Sequence, residues 1–185
     1  MIRILPLLLC ALLLGGAASA ETPFQFATVN LNAPDDPHVE GIRLALLHGD
    51  NRIMRGVDFG VFSMSETDEM SGVAFVVGVH KVDGDMDGGV SFSTVNLHAG
   101  RDRGLNHALI NLLANPDRSV NIAYLNIARG STLIDIGGIN VSKTSRVQIG
   151  FANVTDRLEG FQFGFLNVAQ NGFLPVFPVF NFPKN

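Results

Sequence analysis

From Gly41 to Asn167 the chain repeats one eight-residue pattern: Gly, apolar, polar, apolar, small, apolar, apolar, Asn. The clearest copy is GFQFGFLN, Gly160 to Asn167. Before it come RVQIGFAN ending at Asn153, LIDIGGIN at Asn140, SVNIAYLN at Asn126, GLNHALIN at Asn111 and GVSFSTVN at Asn96. Earlier still are GVAFVVGV ending at Val79, GVDFGVFS at Ser63 and GIRLALLH at His48. From His48 the final positions are spaced 15, 16, 17, 15, 15, 14, 13 and 14 residues, a period expected of a repeat architecture. Degenerate copies, PFQFATVN ending at Asn30 and LPVFPVFN ending at Asn181, flank these nine.

Alternation with period two over this length predicts half-buried β-strands rather than helices. The second, fourth and sixth positions are the apolar set, which assigns them to the core and places His107, a fourth-position residue, inside. The third position is mostly polar and the fifth mostly small. After the Asn comes a further apolar residue (Leu97, Leu112, Ile127, Val141, Val154, Val168), so the apolar phase shifts from positions two, four and six to seven and nine. That shift predicts a corner.

The expected fold is therefore all-β: a β-solenoid of about eleven coils, each about 15 residues long. The alternative is an antiparallel β-meander, closed in the extreme as an outer-membrane β-barrel. The solenoid gives the recurrent Asn a reason to recur, since equivalent residues stack about 4.8 Å apart and amide or aromatic columns stabilise parallel in-register strands. Phe59, Phe75 and Phe92, followed by Ile122, Ile136 and Ile149, form such columns. A membrane barrel usually carries Trp and Tyr girdles, whereas this chain has no Trp and one Tyr. Pro23, Pro34 and Pro37 near one end, and Pro175, Pro178 and Pro183 near the other, read as caps, because proline withholds a donor from an exposed edge.

Residues 1–20 read as a signal peptide: Arg3, an apolar run from Leu5 to Leu14, and Ala18-Ser19-Ala20 as an A-x-A-like cleavage site. The run is shorter than the roughly 20 residues of a spanning helix. The expected location is the periplasm, outer membrane or cell surface, with residues 21–185 as a single β-repeat domain. Cys10 is the only cysteine, so removal of the leader leaves neither disulfide nor thiol chemistry. Charge is uneven along the chain. Glu21 to Gly100 holds 12 acidic and 4 basic residues, net −8, and Arg101 to Asn185 holds 5 acidic and 8 basic, net +3. The basic half is too dilute for nucleic acid, which calls for clustered Lys and Arg.

The repeats resemble those of an uncharacterised bacterial surface-repeat family with units of the type Gly-Leu-Gln-Leu-Gly-Leu-Val-Asn. Gly160 to Asn167 and Arg146 to Asn153 carry the resemblance, as does the ending from Phe177 to Phe182. It implies export and a repeat architecture, and no activity. Some members carry a polyester-synthase label, whose chemistry needs a Cys nucleophile absent beyond residue 20.

The sharpest local chemistry is Asp83-Gly84-Asp85-Met86-Asp87-Gly88, whose alternate carboxylates match the start of a calcium loop. Asp83, Asp85 and Asp87 are the candidate ligands. The bidentate Glu of such loops is replaced by Thr94, but a solenoid would bring Glu66, Asp68 and Glu69 of the preceding turn alongside. His80 and His98 fall at one corner of consecutive copies and would stand side by side, a pairing that suits a transition metal. Asn140-Val141-Ser142 and Asn153-Val154-Thr155 match a glycosylation sequon, but belong to the repeat. No Ser/His/Asp order, phosphate loop or paired-carboxylate arrangement stands out in the sequence. The expectation is a non-enzymatic exported cell-envelope protein, a structural or binding scaffold for an envelope protein or surface ligand. The membrane enters only if the fold is a barrel.

Overall fold

The computed structural model describes residues 21–29 and 31–184, so the expected signal peptide at residues 1–20, Asn30 and Asn185 lie outside the described residues. The β-branched and aromatic residues that fill the outward positions of each copy suit a pleated surface, and the described chain is almost continuous strand. Its segments are β1 (Thr22–Thr28), β2 (Leu31–Ala33), β3 (His38–Val82), β4 (Val90–Asp102), β5 (Leu105–Ala169) and β6 (Val176–Asn181). β3 and β5 are 45 and 65 residues long, and each winds through several coils without leaving extended geometry.

Each repeat pairs in parallel with the next one along the chain. Ala74 lies beside Ser91, Phe75 beside Phe92 and His80 beside Asn96 where β3 meets β4. Asn96 then lies beside Asn111, and Leu97 beside Leu112, where β4 meets β5. Parallel neighbours one repeat apart require the chain to circle once per repeat, which is a β-solenoid. The antiparallel meander and barrel are thereby set aside, since antiparallel pairing is confined to the two ends of the described chain. β2 folds back on β1, and β6 folds back on the end of β5, with Phe163 beside Phe180 and Gly164 beside Val179. The last sequence copy is therefore an edge strand and not a coil, and the turn count falls short of eleven.

The inside and outside of the coil are the reverse of the expected assignment. Third-position residues are fully buried, among them Arg43, Asp58, Ser91, Asn106, Asn121, Asp135, Gln148 and Gln162. The eighth-position Asn residues are buried with them. Fourth-position Phe59, Phe75 and Phe92 are each about two-fifths exposed (42%, 43% and 39%), and His107 is exposed rather than inward. In most copies positions three, five, eight and ten point inward, and positions two, four, six, seven and nine outward. In the copies that start at Gly41 and Gly72, one extra residue moves the later inward positions to nine and eleven, Gly49 and Asn51 in the one and His80 and Val82 in the other. Two successive outward residues at six and seven make the corner, and in the early coils the seventh residue adopts positive φ: Leu47 (67°), Phe62 (48°) and Gly78 (144°).

Apolar packing inside comes from small residues, a few valines, Leu113 and Leu158, and one methionine column. Met54, Met70 and Met86 stack among Val39, Ala74, Val76 and Val82. On the position-one edge, Gly56 and Gly72 have φ of 129° and 139°, and a Cβ on either would fall 2.1 Å from the carbonyl oxygen of the glycine one coil earlier. Only glycine satisfies that approach.

Candidate functional site

The interior is a set of hydrogen-bonded columns, each built by the winding of one repeat onto the next. In the eighth-position column, each amide Nδ2 donates to the Oδ1 one coil on. The chain of donors runs Asn96 to Asn111 (2.9 Å), then Asn126, Asn140, Asn153 and Asn167 (2.8 Å each). Ser91 and Ser93 hydroxyls donate to Asn96 Oδ1 at 2.6 and 2.8 Å, closing the start of the ladder. A second column follows the third positions: Asn106 Nδ2 donates to Asn121 Oδ1 (3.0 Å) and Asn121 Nδ2 to Asp135 Oδ1 (2.8 Å). Further on, Gln162 Nε2 donates to Gln148 Oε1 at 2.8 Å. Asp135 also accepts from Thr132 and Ser145, and burial pushes its carboxyl above the usual carboxylate range. Asn140 and Asn153 are inside the ladder, so neither sequon asparagine is accessible to a glycan.

In the N-terminal coils the third-position column carries an ion pair. Arg43 Nε donates to Asp58 Oδ1 at 2.9 Å and its Nη2 to Oδ2 at 2.7 Å, with both side chains fully buried. The remaining guanidinium donors reach Asn51 Oδ1, the Glu66 carbonyl and Ser65. Burial opposes the Asp58 charge, but the Arg43 guanidinium holds the carboxyl below its ordinary value. A bidentate pair with every donor engaged is the geometry that lets two charges stay inside.

His80 and His98 do stand side by side, as their spacing suggests, with ring centroids 5.4 Å apart at 86°. Both are interior residues and not corner ligands. His80 Nδ1 lies 2.8 Å from Ser91 Oγ, and His98 Nδ1 lies 2.6 Å from Asp102 Oδ2. Their Nε2 atoms are buried with no protein partner. Burial, reinforced by the neighbouring His98, holds the His80 imidazole down to about 3. A hydroxyl–imidazole pair and an imidazole–carboxylate pair are thus present, but Ser91, His80, His98 and Asp102 are at most 2% exposed. A solvent-borne substrate does not reach them.

The acidic turns lie alongside as anticipated. Asp68, Glu69, Asp85 and Asp87 line one surface concavity together with Arg55 and Arg101. Both arginines there are already paired, Arg55 with Glu40 and Arg101 with Asp85. Asp83 accepts from Lys81 Nζ at 2.7 Å, and the same ammonium reaches Glu66 at 3.1 Å. Asp85 accepts from the Arg101 backbone N–H at 3.0 Å and from its Nη2 at 2.9 Å. Met86, in the centre of the motif, turns inward onto the methionine column. Among the described residues, no group of three or more His, Cys, Asp or Glu side chains is placed to hold a metal ion.

The remaining large feature is the exterior. Phe59, Phe75 and Phe92 stack one coil apart at 5.6 and 5.2 Å, within 15° of parallel, and Phe92 leads on to His107. Phe151 and Phe165 stack at 5.1 Å and are 65% and 72% exposed, with Tyr124 at 74% in the same sixth-position column. The next side, carrying Leu97, Leu112 and Ile127, holds a concavity of about 450 Å³. The third side carries the charged turns.

Two features escaped the sequence reading. The Arg43–Asp58 pair was signalled by opposite charges at equivalent positions of adjacent repeats, and the His98–Asp102 pair by its four-residue spacing. Comparison of the chain with protein-family models, curated proteins and solved structures finds no match.

Proposed function

We propose that this chain is a non-enzymatic exported protein of the cell envelope, a rigid scaffold that presents a long outer face to a partner. The observation that carries the reading is the division of labour between inside and outside. Polar side chains that would serve chemistry at a surface are spent on closing the interior columns. The outer sheet face is left with rows of stacked aromatic and aliphatic side chains. Contiguous exposed apolar area on this scale marks an interaction surface. The leader-like residues 1–20 and the resemblance to exported surface repeats support an envelope location. The expected destination is the periplasm or the outer face of the envelope.

The test is expression of the full chain with its own leader, followed by fractionation into cytoplasm, periplasm and membranes. Leader-dependent recovery outside the cytoplasm, with a shortened N-terminus, is the expected outcome. Retention of uncleaved chain in the cytoplasm overturns the location, and robust hydrolytic turnover by the purified protein overturns the scaffold.

A further inference from the structure

The side of the solenoid that carries positions nine and eleven holds a trough whose two ends differ in charge. Leu97, Leu112 and Ile127 stand in a row along it, one coil apart. The eleventh-position residues beside the first two are Ala99 and Ala114, and these small side chains open the trough between longer neighbours. Its volume is about 450 Å³, within the range of about 300–1,000 Å³ typical of small-molecule sites. From Lys81, in register with Leu97, to Ile127 the trough crosses coil after coil for a length on the order of 14 Å, which matches an extended dodecyl chain.

The charges at the two ends select the occupant. At the N-terminal end the Lys81 ammonium is held by Glu66 at 3.1 Å and Asp83 at 2.7 Å, so that cluster is net negative. At the other end Arg129 lines the trough. Lys143 stands one coil on, since Arg129 and Lys143 each follow by three residues one member of the hydrogen-bonded pair Asn126 and Asn140. Both cations are exposed, and among the described residues neither forms an ion pair. The next residue of that column, Asp156, accepts from Gln170 Nε2 at 2.7 Å. An apolar trough with an unpaired guanidinium at one end and a net negative cluster at the other suits a molecule with an apolar tail and a single anionic head. The planar guanidinium offers such a head two parallel donors, the fork that fits a carboxylate.

We infer that this trough binds a long-chain carboxylate, with the head on Arg129 beside Lys143 and the tail lying along Ile127, Leu112 and Leu97. The inference goes beyond the scaffold reading and does not depend on it, because the trough lies around the corner from the aromatic columns.

The experiment uses the protein purified after expression of the full chain with its own leader, titrated calorimetrically with dodecanoate below its micelle concentration. One dodecanoate per chain is expected. Affinity should rise about twofold per added methylene from octanoate to dodecanoate, half the burial effect of a fully enclosed group. Dodecanol, the same tail without the charge, should bind about tenfold more weakly, and Arg129→Glu should weaken dodecanoate by about tenfold or more, as for loss of a charge-assisted hydrogen bond. Ala114→Leu, which fills the trough and leaves the head site alone, should weaken it by a similar factor. Arg129 is exposed and Ala114 half-buried, and unchanged far-ultraviolet circular dichroism checks the fold of each variant. If one fails that check, the other decides. Absence of binding, equal affinity for dodecanoate and dodecanol, or binding that neither substitution weakens overturns the inference, the last in favour of another apolar surface such as the aromatic columns. Flotation with phosphatidylcholine vesicles that Ala114→Leu abolishes, without binding of free dodecanoate, overturns it in favour of a bilayer. None of these results touches the scaffold reading, which fails instead on cytoplasmic retention or on turnover.

Discussion

At the scale of single residues, the interior amides and imidazoles behave as paired parts. Asn126 receives from Asn111 and donates to Asn140, both at 2.8 Å and fully out of water. Asn126→Ala strands an acceptor on one side and a donor on the other. Each unmet buried group costs about 1–3 kcal/mol, so the expected loss is about 3 kcal/mol, read as a lower urea midpoint at unchanged slope. His80 gives a pH signature. Its native pKa of about 3 lies below the ordinary value of 6.5, so the unfolded chain binds the proton first. Stability attributable to His80 is complete above about pH 6.5 and falls towards pH 3, by about 1.4 kcal/mol per pH unit where only the unfolded form is charged. Asp58, held below its ordinary value, loses its contribution in the same direction at lower pH. His80 lies in register with Asn96, the first rung of the amide ladder. His80→Asn should extend that ladder and flatten the profile between pH 6.5 and 4, measured by urea melts at a series of pH values.

At the scale of the coil, the sequence made the period, the strand type and the columns legible, and misassigned which side of the strand faces in. Alternation divides positions two, four and six from three and five, but does not name the inner set. Apolar-inward is the ordinary choice, and it failed at Phe75 and His107. The recurring Asn held the correction. An amide ladder is worth most where water is excluded, so the eighth position belongs inside, and counting back through the corner puts the third and fifth inside too. Arg43, Asp58 and His98 were harder to place, because a charged residue reads as a surface residue unless its partner one coil or four residues away is counted with it. The same geometry yields two backbone predictions. Gly72→Ala places a methyl 2.1 Å from the Gly56 carbonyl oxygen at a φ of 139°. It should prevent close pairing of those coils and lower the thermal midpoint by more than 10 °C, a scale equivalent to several kcal/mol for a domain of this size. Phe62, at a φ of 48° and 77% exposed, carries the opposite expectation. Phe62→Gly should leave the fold intact and raise stability by up to about 1 kcal/mol, the left-handed penalty it removes, in the same melting experiment.

At the scale of the molecule, the parallel register makes the structure additive along its axis. Each coil bonds to the coil before it and the coil after it, and the amide ladder passes through without depending on its length. Removing residues 127–140 joins Asn126 to Val141 and brings the Asn126 amide opposite Asn153, while Asn121 meets Gln148 in place of Asp135. The shortened chain should fold with the same circular dichroism spectrum, at a stability lower by one coil's contribution. Its long dimension should shrink by about 4.8 Å, a change small-angle scattering resolves. Because a whole unit can be added or lost without a new contact being invented, length is a quantity this architecture can vary in fixed steps, as a ruler is cut at its marks.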